Sequence, residues 1–241
     1  MSKIFLILLL FISFIRAGDV QLVTYLNTHY PTQSPLKAWE VTAELMTLDY
    51  IKDTGEHPLS AHDLTRVQFS QWMKKQFASI PPGQPLLLYL SSHQDKTGDW
   101  RFKDGIMNLD QIAQILKDSI GKHPCLIIND SCHAASWGKI PWPRNFQFIF
   151  VSSAGELNRE INLWNDSPAL ARTYSKQIEE LQNRGQGTEM SYFGVLWLAI
   201  PQPQIAFNSR EWSVFFNELK SQDSLLRKRV SRINFPVLLI R

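Results

Sequence analysis

Two residues of this chain have the types and settings for covalent chemistry. Cys132 follows the apolar run Leu126-Ile127-Ile128 through Asn129-Asp130-Ser131, and His93 follows Leu86-Leu87-Leu88-Tyr89-Leu90 through Ser91-Ser92. Two buried strands ending this way would deliver a thiol and an imidazole to one edge of a sheet. A nucleophile beside a base is the minimum equipment for thiol-based acyl transfer. Within hydrogen-bond reach, His93 would lower the thiol pKa or take its proton. A carbonyl under attack needs donors where negative charge develops. The backbone amides near Gln94 and Cys132 are the candidates. Asp130 stands two residues before Cys132, so in an extended chain both face one side. Its carboxylate would orient His93, floor a pocket that favours a cationic substrate group, or cap loop amides. His133 reads as a packing or orienting residue, and His123, beside Pro124 where a strand begins, as structural.

The elements that must position these groups are legible in the apolar spacing. Val20 to Leu26 reads as a first strand. Lys37 to Ile51 and Thr65 to Ile80 have helical periodicity. Pro81-Pro82-Gly83 ends the second helix, and the strand leading to His93 follows. Gly98 to Gly105 reads as a small hairpin arm with Asp104-Gly105 as its turn signal. Asn108 caps a helix over Leu109 to Ile120, closed by Gly121. Cys125 to Asn129 is the strand leading to the thiol, and Phe146 to Val151 a third one, ending at Ser152. Ser167-Pro168 opens a helix through Leu181, Met190 to Ile200 is apolar, Glu211 to Val230 is helical, and Phe235 to Ile240 is a terminal edge strand. Strand–helix–strand repetition with continuous apolar strands predicts an α/β fold with a mostly parallel sheet. Ligands in such folds bind outside the carboxyl ends of the strands. His93, Cys132 and Ser152 all fall at or just past those ends.

Composition narrows the function classes. A net charge of +3 over 241 residues is too mild to imply nucleic acid. Lys3, the apolar stretch Ile4 to Ile15 and Arg16-Ala17-Gly18 read as an export signal over residues 1–17, cut after Ala17. The apolar stretch is short for a membrane span, which needs about 20 residues. The alternative is an uncleaved anchor. Cys125 and Cys132 lie at opposite ends of one strand and cannot pair with each other, so an exported protein keeps a thiol free. Cys125 reads as a small buried apolar residue. The Cys and His spacing fits no zinc pattern, no Gly-rich phosphate loop appears, and no cofactor is implied.

The two strand ends, together with the arm and helix between them, resemble the caspase-like cysteine peptidases, which include metacaspases and legumains. Asp130-Ser131-Cys132-His133 is closest to the metacaspase pattern. The resemblance covers residues 20–208. It implies a three-layer sandwich over residues 18–208; the C-terminal helical extension, 209–241, falls outside it and reads as a helix packed on the domain with a solvated basic end, Arg227-Lys228-Arg229. It makes Cys132 the nucleophile, His93 the base, Gln94 and Cys132 the oxyanion donors, and Asp130 and Ser152 the lining of a pocket for Arg or Lys before the cut. The partner implied is a peptide or protein substrate. Gln94 stands where the family carries Gly, and Ala134-Ala135-Ser136 where another Gly is usual. Two alternatives follow from the same residues. One is an inactive relative that binds or scaffolds. The other is a legumain-type peptidase or transpeptidase acting after Asn.

Overall fold

The structure, a computed structural model, describes residues 19–28, 37–152, 158, 160–166, 168–185, 187–229 and 238–241. The expected export segment, the stretch Ser153-Ala154-Gly155-Glu156, Ser167 and Phe235 lie outside them. In chain order the elements are β1 (Gln21–Asn27), α1 (Lys37–Thr54), β2 (Leu59–His62), α2 (Arg66–Ala78), β3 (Leu86–Ser92), β4 (Trp100–Phe102), β5 (Gly105–Met107), α3 (Leu109–Ile120), β6 (Cys125–Asn129), β7 (Phe146–Phe150), β8 (Glu160–Asn162), α4 (Leu163–Asp166), α5 (Pro168–Thr173), α6 (Ser175–Asn183), β9 (Glu189–Ser191), α7 (Tyr192–Ala199), α8 (Trp212–Arg229) and β10 (Leu239–Ile240).

The main sheet runs β10-β7-β6-β3-β1-β2, and every pairing is parallel except β10 with β7. Period-two alternation splits each central strand between two cores. Leu87, Tyr89, Leu126 and Ile128 join Trp39, Leu45, Trp197, Phe215 and Leu219 from α1, α7 and α8. Leu86, Leu88, Leu90, Cys125 and Ile127 join Phe69, Met73, Ile112 and Leu116 from α2 and α3. Helices therefore cover both faces, giving the α/β fold with a mostly parallel sheet expected from the strand pattern, arranged as a three-layer sandwich. Each fully buried aliphatic side chain contributes about 1.5–3 kcal/mol relative to exposure.

The helix ends carry local signals. Thr65 and Asn108 each form a capping box, with Gln68 and Gln111 as the returning partners. Three details differ from the sequence reading. The helix expected from Pro168 breaks at Tyr174 into α5 and α6. The apolar stretch from Met190 divides into β9 and α7, because Ser191 accepts a hydrogen bond from the Gly194 N–H and starts a helix there. Strand β2, a four-residue edge with exposed alternate positions, carries too little apolar pattern to stand out. Helix α8 packs on the domain. Trp212, Phe215, Leu219 and Leu226 are buried in the same core as the sheet.

Candidate active site

Strands β3 and β6 pair in parallel with a constant offset, from Leu86 opposite Cys125 to Leu90 opposite Asn129. Side chains continue that offset after the ladder ends. Ser91 Oγ donates to Asp130 O (3.1 Å), the Ser92 N–H to Ser131 Oγ (3.1 Å), and Gln94 Nε2 to His133 O (2.8 Å), all at a separation of 39 residues. His93 and Cys132 share this separation and are bracketed by bonded pairs on both sides. The two sequence-predicted catalytic residues therefore follow the carboxyl ends of neighbouring parallel strands. Both are half-buried.

Beyond Asn129 the chain turns sharply instead of staying extended. His133 adopts a left-handed conformation (φ 55°), and a short 3-10 turn, Ala134–Lys139, follows. A non-Gly residue there is uncommon and marks a turn held by its surroundings. The holding groups are buried and polar. Ser152 Oγ donates to Ser131 O (2.9 Å) and accepts from the Ala134 N–H (2.8 Å), so the end of β7 staples the turn. The loop after His93 docks on the same turn through Ser136 Oγ to Lys96 O (3.0 Å) and Trp137 Nε1 to Gly98 O (3.2 Å). Gly98 sits at φ 98°, and a Cβ on it would strike the Leu109 side chain, so only Gly suits this crossing.

Gln94, only 5% exposed, bonds through both ends of its side-chain amide. Besides the bond to His133 O, its Oε1 accepts from Trp100 Nε1 (3.0 Å) and Asn129 Nδ2 (3.2 Å). Among the described residues the backbone N–H groups of Gln94 and Cys132, the expected oxyanion donors, join no backbone ladder.

Asp130 lies on the α1 and α7 face, as the alternation from Ile128 requires. It is 0% exposed. Tyr89 Oη donates to its Oδ2 (2.6 Å), the Ser191 hydroxyl to the same oxygen, and Asn158 Nδ2 to Oδ1 (2.6 Å). Burial pushes its carboxyl pKa up to about 7, although the Ser191, Tyr89 and Asn158 bonds pull downward. Burial likewise raises the Cys132 thiol. The Asn158 backbone N–H lowers it in part, and the charge on Asp130 adds to the rise. A thiol so placed rests protonated at neutral pH and needs a base to react.

The two cysteines are unpaired, and Cys125 is fully buried with its thiol pKa raised by desolvation. His123 Nδ1 lies 2.9 Å from Gln84 O, tying two strand starts together. Among the described residues no group of three or more His, Cys, Asp or Glu could hold a metal ion, and no helix is long and apolar enough to cross a membrane. Sequence reasoning missed Tyr89, Asn129, Asn158 and Ser191. Ser191 before an apolar run carries a capping signal, but nothing local aims it at Asp130. No family model matches the chain, and no curated protein does.

Proposed function

We propose that this protein is an exported cysteine peptidase of the caspase-like type, with Cys132 as nucleophile and His93 as general base. The observation that carries the reading is the bonded register on both sides of the His93–Cys132 pair. The raised thiol pKa fits general-base activation better than a resting ion pair.

In this mechanism His93 takes the Cys132 proton as the sulfur attacks the substrate carbonyl carbon. The C–S bond forms, and the carbonyl oxygen takes up the negative charge near the Gln94 and Cys132 amides. Collapse breaks the C–N bond, and the imidazolium returns its proton to the leaving amine. Water, deprotonated by His93, then opens the thioester and regenerates the thiol. An amine in place of water would give transpeptidation. Asp130 is the carboxyl nearest the thiol in sequence and supports a preference for Arg or Lys before the cut. Because Asp130 is fully buried with both oxygens bonded, this specificity requires a basic side chain to displace Ser191 or Asn158 on binding.

The test uses fluorogenic peptides ending in Arg, Lys, Asn or Asp, with Cys132→Ala and His93→Ala as controls. Turnover after Arg or Lys, lost in both variants, supports the proposal. Turnover after Asn alone keeps the catalytic pair but moves the specificity to the legumain type. No turnover with any peptide, and no alkylation of Cys132 by an electrophilic peptide, sinks the peptidase reading in favour of a binding role.

A further inference from the structure

We infer that the Gln94 side chain is a positioning residue that sets the nucleophile turn and thereby aims the two backbone amides at the carbonyl oxygen. The inference rests on the peptidase reading above and assigns a task to a side chain that the reading itself does not use.

Three observations converge. First, Gln94 is buried and joins four separate pieces of chain: the loop carrying His93, Trp100 of β4, Asn129 at the end of β6, and the carbonyl of His133. Second, its oxygen and nitrogen are assigned by their partners. Trp100 Nε1 is only a donor, so the side-chain oxygen must face it, which turns the NH2 group toward His133 O. Third, the residue whose carbonyl it holds is the one in the left-handed conformation directly after Cys132. The His133–Ala134 peptide plane is held from three sides: its carbonyl accepts from Gln94 Nε2 (2.8 Å) and from the Ser136 N–H (2.9 Å), and its N–H donates to Ser152 Oγ (2.8 Å). Of these bonds only the one from Gln94 comes from the loop that carries His93, so it fixes that loop against the turn after Cys132. It also restrains the φ and ψ values that orient the turn. In this inference the backbone and side chain of Gln94 divide the work, the N–H serving the reacting oxygen and the buried amide group serving the turn. A glycine at 94 would offer the first without the second.

The inference separates thiol reactivity from oxyanion stabilisation, and two probes read these independently. A peptidyl aldehyde adds Cys132 across its C=O: the S–C bond forms, and the thiol proton ends on the oxygen. That oxygen occupies the site of the carbonyl oxygen under attack. Iodoacetamide alkylates the sulfur with loss of iodide and needs no such site. Aldehydes ending in Arg, Lys, Asn and Asp are used, with the full chain and with Gln94→Ala and Gln94→Glu. We expect Gln94→Ala to weaken aldehyde binding by about 10-fold or more, the scale of a misplaced oxyanion donor, while the alkylation rate changes less than about 3-fold. Gln94→Glu keeps the volume and serves where the alanine variant fails to fold. Its buried carboxyl can donate to His133 O only when protonated, so aldehyde affinity, corrected by the alkylation rate at each pH, recovers as pH falls. Equal loss in both probes, or no loss in either, overturns the inference while leaving the peptidase reading standing. Failure of every aldehyde to bind the unmodified protein overturns both.

Discussion

Asp130 titrates near neutrality inside the protein, and two pH dependences follow from that one residue. The folded pKa, about 7, lies above the ordinary carboxylate value of about 3.9. Between those values the folded state binds more protons than the unfolded state, so stability falls as pH rises from about 4 to 7 and levels off above it. The expected outcome is a urea midpoint that declines across that window, with Asp130→Asn flattening the decline. The same substitution removes a charge that raises the Cys132 thiol, so the pH midpoint of iodoacetamide alkylation moves lower. Ser191→Ala acts in the opposite sense on the carboxyl. It deletes a bond that pulls the Asp130 pKa down, and a carbon-13 carboxyl titration should show a midpoint above the parent's. At this scale the sequence was partly legible. A Cys and a His after apolar runs are visible as residue types. That Asp130 would be closed over by Tyr89, Ser191 and Asn158 was not, because those partners lie 41, 61 and 28 residues away and only the finished sheet assembles them.

Helix α7 is pinned at its start by one atom-to-atom approach. The Thr42 hydroxyl of α1 bonds both the Ser191 hydroxyl (3.0 Å) and the Ser191 N–H (3.2 Å). A Cβ at Gly194 would collide with that hydroxyl. Gly194→Ala is therefore expected to destabilise by about 1–3 kcal/mol, despite alanine's better helix propensity, because the core must shift to admit it. Chemical denaturation measures this directly, and an unchanged midpoint would mean that α1 and α7 can slide apart. Asn108→Ala, which removes one half of a capping box, should cost about 1 kcal/mol. Elements were read best where the signal is local. The span Leu109 to Ile120 came out as expected because cap, period and closing glycine agree. The break at Tyr174 and the β9–α7 division did not, since both depend on what the segment packs against.

For the whole molecule, the C-terminal helix is the element that the resemblance leaves out. Its burial with the sheet makes it part of the fold. Asp19, ahead of β1, is tied to Ser209 by two bonds, N–H to Oδ1 (2.8 Å) and Oγ to Oδ2 (2.6 Å), joining the start of the described chain to the turn that leads into α8. Phe215→Ala should cost about 3–5 kcal/mol, and removal of residues 209–241 should give a chain without a cooperative melting transition. A shortened chain that melts like the parent would make α8 an appendage. The aromatic cluster beneath the site has an optical consequence. Trp100 donates to Gln94, and its ring centroid lies 5.1 Å from that of Trp137 at 36° between planes, with Trp142 5.8 Å beyond. Indoles this close share excitation, so they should produce a paired circular-dichroism band and a collective emission. Because one of them holds the side chain that grips the nucleophile turn, events at Cys132 should register as a change in ultraviolet emission and ellipticity, without any label attached.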